Sequence, residues 1–419
     1  MDILVIGSGG REHAVIKKLK ESRSVGRIFC APGNGGIARD AKCLPIKAND
    51  IDGVVKFSKA NNIGYVVVTP DDPLVIGMVD TLEAEGIRAF GLRKNAAAIE
   101  GSKVFAKELM KKYNIPTSCY EVFNSSKDAI KYLKAINSYP TVIKADGLAL
   151  GKGVVIAADF KEAETAINTI MEDKIFGASG DRVVIEEFLT GPEVSVLAFT
   201  DSKIVVPMVS SKDHKRAFDG DKGPNTGGMG TISPNPYYTE EIASMCMRNI
   251  FLPTIMAMNN EGRPFKGCLY FGLMLTQNGP KVIEYNARFG DPETQVVLPR
   301  LKSDLLEIFE AVTDERLSEI SIEWDDGAAA CVVAASKGYP GKYQTDFEIT
   351  GLDEAEKMPD ITVFHAGTRC ESKRLYTAGG RVLGVTALGE NLEMALEKAY
   401  DAVKLIHFEG IHYRSDIGK

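Results

Sequence analysis

Closely spaced cysteines are missing from this 419-residue sequence. Its seven cysteines include no CxxC pair, which argues against a zinc site or a disulfide framework. We therefore expect reduced thiols in a cytoplasmic protein. No apolar run reaches the roughly 20 residues of a membrane-spanning helix, and Met1–Ile6 is typical of a strand rather than a signal peptide. No membrane association is expected.

Long basic runs are also missing. The net charge is −7, so the sequence offers no electrostatic footprint for nucleic acid. A small anionic ligand would have to be held by a local cluster of donors instead. The length exceeds what one hydrophobic core supports, which favours two to four domains.

The first hundred residues alternate between short apolar runs and helical patterns. We predict strands at Ile3–Ile6, Arg27–Cys30, Tyr65–Val68 and Arg88–Gly91. We predict helices at Arg11–Lys20, Ile51–Asn61 and Leu74–Glu85. This alternation predicts a parallel sheet wrapped by helices, with ligands at the carboxyl ends of its strands.

The rest of the chain indicates two further domains. A helix over Gly101–Tyr113 precedes strands at Cys119–Phe123, Thr141–Ala145 and Val154–Ala157, with a helix begun by Ser125. Later strands are predicted at Val183–Phe188, Val194–Phe199, Cys268–Leu275 and Lys281–Asn286, and a final domain begins near Gly327 with the apolar run Ala328–Ala335. We expect domains at 1–101, 102–326 and 327–419, the second with a lid subdomain at about 118–189.

Two glycine-rich segments resemble nucleotide motifs without matching them. A dinucleotide GxGxxG fingerprint needs glycine where Glu12 stands, which argues against a nicotinamide dehydrogenase. The first loop remains either a phosphate cradle at a helix start or a plain turn, and the second turn, Pro32–Gly36, favours the cradle somewhat. The loop 146–153 lacks the Walker A pattern at Asp146 and Gly153, so it is interpreted as a mobile hairpin with Lys144 and Lys152 at its edges.

Lys144 and the strand Val282–Asn286 carry the candidate chemistry. A lysine within a strand suits a phosphate partner, although an exposed edge lysine remains the alternative. Glu284 and Asn286 occupy alternate strand positions, so their oxygens share one face with Arg288 and suit magnesium. An internal salt bridge is an equally good interpretation of this group.

The segment Ser211–Gly230 is too long, polar and glycine-rich for a simple linker, which indicates a working loop. His214 within it has charged neighbours on both sides, so we expect it to be exposed and not to act as a catalytic base.

Together these segments resemble the ATP-grasp superfamily and, within it, the phosphoribosylamine–glycine ligase (glycinamide ribonucleotide synthetase) family. The matching words are IGSGGREHA (6–14), APGNGG (31–36), EGSKVFAKELM (100–110), IKADGLALGKGV (143–154), VIEEFLTGPEVS (184–195), KDHKRAFDGDKGPNTGGMG (212–230), EYNARFGDPETQ (284–295), FHAGT (364–368), GGRVLGVTALG (379–389) and IHFEGIHYRSDIG (406–418). The resemblance covers essentially the whole chain.

The resemblance implies an α/β ATP-grasp fold with an N-terminal Rossmann-like domain, a mobile lid and a small C-terminal α+β domain. It implies that ATP activates glycine as an acyl phosphate, which 5-phosphoribosylamine attacks to give glycinamide ribonucleotide in purine biosynthesis. ATP with Mg²⁺ or Mn²⁺ is the expected cofactor set. Glycine and 5-phosphoribosylamine are the expected partners, without nucleic acid or membrane, for a protein expected to be a monomer.

The resemblance also implies roles for individual residues. The ATP site would comprise Lys103, Lys144, Gly151, Gly153, Glu186, Glu187, Phe188, Leu189 and Glu193. The metal would be held by Glu284 and Asn286, and the catalytic residues would be Lys144, Arg288 and Asp291. The other substrates would contact Gly9, Gly10, Arg11, Glu12, Asp213, Arg288, Asp291 and Arg381.

The sequence departs from the family pattern at three places, and at one of them Leu92-Arg93 stand where Pro-Thr is common. Asp71-Asp72 stand where a glutamate is common, and Leu269–Leu275 offers no further acidic metal ligand. Another ATP-grasp carboxylate–amine ligase of nucleotide metabolism is the nearest alternative. A biotin-dependent carboxylase and an ATP sensor without chemistry are more distant ones, disfavoured by the 212–230 loop and by Glu284, Asn286 and Arg288 respectively.

Overall fold

The computed structural model describes residues 1–148 and 153–419 of the chain. Predicted ATP-site residue Gly151 and the loop lysine Lys152 lie outside the described residues.

The N-terminal region forms the parallel sheet that the sequence predicts. Its strands are Ile3–Gly7 (β1), Ile28–Pro32 (β2), Lys42–Cys43 (β3), Tyr65–Val68 (β4) and Ala89–Phe90 (β5). They lie in the order β3-β2-β1-β4-β5, and every neighbouring pair is parallel. The helices are Gly10–Leu19 (α1), Ile51–Ala60 (α2), Asp71–Ile76 (α3), Met78–Ala84 (α4) and Lys94–Gly101 (α5). Strand β1 is buried throughout, because a parallel sheet carries helices on both faces.

One predicted helix is wrong. The segment Leu74–Glu85 is not continuous, because Gly77 has a φ of 96° between α3 and α4. Left-handed backbone interrupts the helical hydrogen-bond ladder, and glycine adopts it without steric cost.

A small antiparallel sheet forms the region where the sequence predicts a lid, and we call it the lid sheet. Helix Lys103–Lys112 (α6) leads to strands Tyr120–Phe123 (β6), Thr141–Ala145 (β7), Val154–Ala157 (β8) and Val183–Glu187 (β9), in the order β6-β9-β7-β8. Helices Ser126–Ile136 (α7) and Phe160–Ile167 (α8) pack on it around a separate apolar core. Ser125 caps α7 by accepting a hydrogen bond from the Asp128 amide, as the sequence predicts.

The central body is built on a second antiparallel sheet. Its strands are Glu193–Asp201 (β10), Val205–Pro207 (β11), Lys266–Thr276 (β16) and Gly279–Asn286 (β17), in the order β11-β10-β16-β17. The intervening strands are Lys212–Asp213 (β12), Arg216–Phe218 (β13), Lys222–Asn225 (β14) and Gly230–Ser233 (β15), and β13 pairs with β14. The helices are Glu240–Cys246 (α9), Leu252–Asn260 (α10), Thr294–Val297 (α11) and Leu305–Thr313 (α12).

The C-terminal region completes a mixed α+β unit. Its strands are Ala328–Ser336 (β18), Glu348–Ile349 (β19), Ile361–His365 (β20), Thr368–Glu371 (β21), Arg374–Thr377 (β22), Arg381–Gly389 (β23) and Ile411–His412 (β24), with helices Leu352–Glu356 (α13) and Leu392–Val403 (α14). The main sheet has the order β12-β15-β18-β23-β20, and β24 also pairs with β18. Two strands of the working loop, β12 and β15, thus extend the C-terminal sheet.

All seven cysteines are unpaired. Within 1–148 and 153–419, no helix has the length and apolar character needed to cross a bilayer.

Candidate active site

A cavity of about 980 Å³ separates the lid sheet from the body sheet, and N-terminal and C-terminal elements form one end of it. It brings together most of the residues singled out from the sequence. These are Arg11, Lys103, Lys144, Gly153, Glu186, Glu187, Phe188, Leu189, Glu193, Asp213, Glu284, Asn286, Arg288, Asp291 and Arg381.

One part of the cavity is an apolar slot. Val142, Val154 and Ile156 line it from the lid sheet, and Met274 and Ile283 line it from the body sheet. Alternating strand positions from two sheets thus make two facing apolar walls. A flat heteroaromatic ring fits between such walls, and the sequence pattern did not identify these five residues.

Lys144 lies at the inner end of this slot. Its side chain is 4% exposed, its Nζ lies 3.0 Å from Glu186 Oε1, and it donates a 3.0 Å hydrogen bond to the Ile283 carbonyl. The alternative of an exposed edge lysine is therefore wrong. Burial of a lysine requires a paired anion, and Glu186 provides it here.

Lys107 is a cleft cation that the sequence reasoning missed. It lies one helical turn beyond Lys103 on α6, and its Nζ is 2.8 Å from Glu186 Oε2. Burial lowers the pKa of Lys107 to about 8, although Glu186 opposes that shift. Its presence in the EGSKVFAKELM word was the available signal, but the partner lies 79 residues away (186 minus 107).

Lys103 approaches the same region from the start of α6. Ser102 caps this helix, and Lys103 Nζ donates a 2.9 Å hydrogen bond to the Gly147 carbonyl in the described part of the glycine-bearing loop. Burial lowers the pKa of Lys103 below its ordinary value, and the negative charge of Glu284 offsets only part of this shift. Three lysines of the cleft, 103, 107 and 144, therefore converge on the end of the apolar slot.

Glu187 and Glu193 lie near the opening of the slot. Glu187 Oε1 is 3.0 Å from Lys281 Nζ and accepts a 3.0 Å hydrogen bond from the Cys119 amide. Glu193 is 47% exposed, and its Oε2 is 3.2 Å from Lys215 Nζ. Both carboxylates are anchored, yet each still faces the cavity.

Glu284 and Asn286 project into the cavity from β17, with Tyr285 turned into the core between them. Gly272 lies opposite Glu284, and a Cβ there would come within 3.0 Å of the Glu284 Cγ, so glycine makes room for the side chain. Burial alone would raise the pKa of Glu284, but Lys215, Lys144 and Lys103 together lower it. The carboxylate is therefore ionised.

The salt-bridge interpretation of this strand is partly correct. Lys215 Nζ lies 3.5 Å from Glu284 Oε1, a looser ion pair with the working loop. The other half of the predicted group, Arg288, pairs instead with Glu100, whose Oε1 is 3.1 Å from Arg288 Nη2. Glu100 also accepts a 2.6 Å hydrogen bond from the Ala287 amide, so it orients both the arginine and the backbone after β17.

Arg288 carries free hydrogen-bonding capacity. Its buried Nε has no hydrogen-bond partner in the described part of the chain. Burial opposes its charge, but Glu100 and Asp71 raise the pKa of Arg288 above its ordinary value. Asp71 is in turn held ionised, because Arg288 and Arg11 lower its pKa against the effect of burial. The aspartate that replaces the common glutamate therefore still faces the two arginines.

Asp291 lies where the three regions of the chain meet. Its Oδ1 accepts a 2.7 Å hydrogen bond from Gln295, and its Oδ2 is 3.3 Å from Arg381 Nη2. Arg381 also donates a 2.8 Å hydrogen bond to the Asp291 carbonyl. A Cβ at Gly9 would come within 3.3 Å of Asp291 Oδ2, so the glycine permits this approach.

Asp213 and Glu293 add two further carboxyl groups to the lining of the cavity. Burial raises the pKa of Asp213 well above its ordinary value, and the charge of Glu293 raises it further. Glu293 is 4% exposed and accepts a 3.3 Å hydrogen bond from Ser195. Glu293 was not among the predicted site residues, although it belongs to the EYNARFGDPETQ word.

The first glycine loop is filled by the side chain of Glu12, which belongs to the helix that follows the loop, α1. Glu12 is 2% exposed and accepts hydrogen bonds from the Gly9 amide, Arg11 and Thr69. Arg11 lines the cavity, whereas Gly9, Gly10 and Glu12 lie behind that surface in the described part of the chain. Direct substrate contacts by these three residues remain predictions.

The second glycine turn packs against the C-terminal region, and its interpretation as a further sign of ligand binding stays a prediction. A Cβ at Gly36 would come within 2.0 Å of the His365 ring, and one at Gly35 within 2.6 Å of the Arg369 backbone. Asn34 donates 2.8 Å hydrogen bonds to the Ser8 and His365 carbonyls. The turn therefore joins the N-terminal region to the C-terminal hairpin.

The expectation of an exposed His214 is wrong. Its side chain is 3% exposed, its Nδ1 lies 3.2 Å from the Gly230 carbonyl, and its Nε2 accepts a 3.0 Å hydrogen bond from the Gly418 amide. The ring is buried because it contacts the backbone of Gly230 and Gly418, and Gly418 is about 200 residues away in sequence. Burial lowers the pKa of His214 to about 4, so the ring is neutral.

Two antiparallel sheets, a lysine-lined slot between them and a paired glutamate and asparagine on one strand define an ATP-grasp enzyme. Three family models match the chain: the phosphoribosylglycinamide synthetase N domain over 1–100, the ATP-grasp (A) domain over 101–294 and the C domain over 329–419.

Individual relatives agree with the family models. The phosphoribosylamine–glycine ligase of Clostridium acetobutylicum is 51% identical over 419 residues, covering 100% of both chains. The ligase of the same name from Caldanaerobacter subterraneus is 49% identical, covering 100% of this chain and 99% of its own. A crystal structure of phosphoribosylamine–glycine ligase from Thermotoga maritima superposes with a TM-score of 0.83 at 33% identity, covering 100% of both chains.

The chain belongs to the phosphoribosylglycinamide synthetase family. The expectations of an ATP-grasp fold and an ATP-dependent ligase are confirmed. Membership also implies the use of ATP and a divalent metal ion.

Proposed function

We propose that this cleft joins glycine to 5-phosphoribosylamine at the expense of ATP, giving glycinamide ribonucleotide, ADP and phosphate. The relatives that carry the name phosphoribosylamine–glycine ligase match the chain from end to end. The observation that carries the proposal is the convergence of Lys103, Lys144 and Arg288 on the face of β17 that bears Glu284 and Asn286. Positive charge is thereby concentrated where phosphoryl transfer develops negative charge.

ATP would lie with its base in the apolar slot. The chain from Glu186 to Leu189 would border the adenine, and Glu193 would accept hydrogen bonds from the ribose hydroxyls. Lys103 and Lys144 would contact the phosphates. Gly151 and Gly153 would belong to the loop that covers them. Because Glu186 already fixes Lys144, the lysine is positioned before the nucleotide arrives.

The donor set of β17 fits a hard divalent cation. Glu284 is ionised, Asn286 offers an amide oxygen, and both face the cavity. No group of three or more His, Cys, Asp or Glu side chains suited to a metal occurs among residues 1–148 and 153–419, which favours a site completed by phosphate oxygens. Glu284 and Asn286 would hold Mg²⁺ or Mn²⁺, which supplies charge neutralisation at the phosphates when bound.

The reaction would proceed in two displacements. A glycine carboxylate oxygen attacks the γ-phosphorus, and the bond to the β-phosphate oxygen breaks to release ADP. The amine nitrogen of phosphoribosylamine then attacks the acyl carbon, loses a proton and expels phosphate. Arg288 would stabilise the negative charge in both steps, because its guanidinium is held by Glu100 at the end of β17.

The second substrate would enter from the side of the N-terminal sheet. Arg381, Arg11 and the glycine pair Gly9-Gly10 would bind its phosphate, and Glu12, Asp213 and Asp291 would orient its amine. Asp291 is also the candidate group for steering the proton, because Arg381 and Arg11 keep it ionised despite burial.

We also propose the domain boundaries 1–101, 102–326 and 327–419, with the lid at about 118–189. The family-model ranges support divisions close to these. We propose a monomer on the resemblance alone. A cytoplasmic location is supported by seven unpaired thiols.

ADP release in reactions that omit one substrate at a time tests this function. We expect full turnover only with ATP, a divalent ion, glycine and freshly made phosphoribosylamine, together with glycinamide ribonucleotide as product. Turnover with another amine, or with bicarbonate and biotin, in place of these substrates would contradict the proposal and favour a different ATP-grasp ligase.

A further inference from the structure

The last residues of the chain lie against the working loop that follows β12. Four backbone or side-chain contacts join them: Ala217 O with His412 Nε2 at 2.8 Å, the Gly220 amide with Asp416 at 2.7 Å, Asp219 with the Ser415 amide at 2.8 Å, and His214 with the Gly418 amide at 3.0 Å. Lys212 Nζ also donates a 3.1 Å hydrogen bond to the Lys419 carbonyl. We call residues 411–419 the tail, and residues 212–228, which make up most of the working loop, the loop.

Arg414 is the centre of these contacts. It is 1% exposed, and its Nη1 donates hydrogen bonds to Asp221 at 2.8 Å and to the Arg216 carbonyl at 3.2 Å. Its Nε and Nη2 donate to the two oxygens of Asp416 at 2.7 and 2.8 Å. A buried guanidinium is tolerated only while these acceptors stay in place, so Arg414 favours one loop conformation over others.

The loop that contacts the tail also lines the cleft, and Asp221 is among its lining residues. Asp213 and Lys215 line the cavity, and Lys215 reaches Glu193 at 3.2 Å and Glu284 at 3.5 Å. The loop also closes on itself, with the Thr226 amide bonded to the Lys215 carbonyl at 2.7 Å. A displacement of the loop would therefore move Lys215 away from both carboxylates.

We propose that the tail is a clamp that positions the loop, and that Arg414 is a positioning residue for the ligase reaction. Arg414 touches no residue of the apolar slot, and it acts through the loop on Asp213 and Lys215. The choice of glycine and phosphoribosylamine as readouts rests on the proposed function, whereas the coupling between tail and loop does not.

The test compares Arg414→Lys with Asp221→Asn. Lysine keeps the charge but loses the planar fork that contacts three acceptors. The Asp221 side chain is 74% exposed, so its substitution removes one contact without threatening the fold. Arg374→Lys is the matched control, because Arg374 is 66% exposed and pairs with Glu348 at 3.5 Å within its own three-stranded sheet, β19-β22-β21.

Hydrogen exchange of the intact protein gives the first readout. We expect amides of 214–228 to exchange about tenfold faster in Arg414→Lys, the effect of losing one charge-assisted hydrogen bond, and amides of β7 and β9 to be unchanged. Asp221→Asn should show the same regional pattern with a smaller amplitude, and Arg374→Lys should show none. Exchange that stays at the wild-type level in the loop, or that rises equally across the whole C-terminal sheet, would overturn the clamp.

Substrate kinetics give the second readout. We expect the KM for glycine or phosphoribosylamine to rise about tenfold in Arg414→Lys. We expect ATP affinity to fall as well, but by less, because Lys215 contacts Glu193 and Glu284 while the apolar slot is unchanged. An equal loss for all three substrates would mean that Arg414 is structural only. If wild-type protein did not use glycine at all, the proposed function would fail while the exchange result would still decide the clamp.

Discussion

Lys144 Nζ donates a 3.0 Å hydrogen bond to the carbonyl oxygen of Ile283 and so joins the lid sheet to the strand that carries the candidate metal ligands. The pairing of β16 with β17 is irregular at this point, between Gly272 and Leu273, and Ile283 is the residue left without a register partner. A bulge of this kind frees a carbonyl from the ladder. The lid sheet and strand β17 are therefore connected through one buried lysine.

Loss of the Glu186 charge should destabilise the protein and weaken ATP binding. In Glu186→Gln the buried cations Lys144 and Lys107 lose their common counter-ion, which we expect to cost about 3 kcal/mol of unfolding free energy. Urea unfolding and nucleotide titration measure the two effects. Glu121→Gln, an exposed change on the same sheet, is the control, and equal stability of the two variants would contradict this role.

Loss of the Glu284 charge should remove turnover without unfolding the protein. Glu284 is partly exposed to the cavity, and its ion pair with Lys215 is a loose one. We expect Glu284→Gln to lower the rate of ADP release by well over tenfold at saturating magnesium, with a melting temperature close to that of the exposed control Glu397→Gln. A wild-type rate would remove Glu284 from the metal site.

Replacement of Arg288 should cost activity even when the charge is kept. Its guanidinium binds Glu100 and retains a buried Nε without a hydrogen-bond partner in the described part of the chain. A lysine cannot bind Glu100 and also present a second donor to the cavity. We therefore expect Arg288→Lys to lower kcat about a hundredfold, with ATP affinity little changed. Arg93→Lys, at a 56% exposed site, is the control. Near-normal kcat would demote Arg288 to a structural residue.

The free energy of unfolding should fall in mild acid because of His214. Burial lowers its pKa from 6.5 to about 4, so between those values the unfolded chain binds more protons than the native protein. Above pH 6.5 the ring is neutral in the folded and unfolded chain, so burial of His214 costs no unfolding free energy through its charge. We expect about 2 kcal/mol of unfolding free energy to be lost by pH 5. Lys212 and Arg414 disfavour the charged ring, and Asp221 opposes them.

Urea unfolding at pH 7.5 and pH 5 measures this loss in the wild type and in His214→Gln, which does not titrate. The variant should show the smaller decrease. Parallel decreases in both proteins would show that another group carries the acid sensitivity.

Local patterns were enough to predict much of the fold. Strands β7 and β8 have the bounds that the sequence indicated, because runs of β-branched residues flank the glycine-bearing loop on both sides. The order of strands within each sheet was not accessible in this way. Strand β9 lies between β6 and β7, and its pairing depends on contacts about 40 to 65 residues distant in sequence.

The residues of the candidate site also divide into those that local patterns identify and those that depend on distant contacts. The motif words supplied Lys144, Glu284 and Asn286, because their chemistry is visible in the residue type and spacing. Glu100 and Lys107 were missed, since each is defined by a partner in a different element. The expectation of an exposed His214 was wrong for the same reason, because its ring contacts the Gly418 amide in the C-terminal region.

Oxygen transfer from glycine to phosphate tests the central claim most directly, namely that the cleft activates a carboxylate with ATP. With glycine labelled by ¹⁸O in its carboxylate, and with ATP and phosphoribosylamine present, the released phosphate should carry one ¹⁸O atom per turnover. The glycinamide ribonucleotide should retain the other. Phosphate without label, formed at the same rate as product, would contradict the acyl phosphate and the account of the cleft built on it.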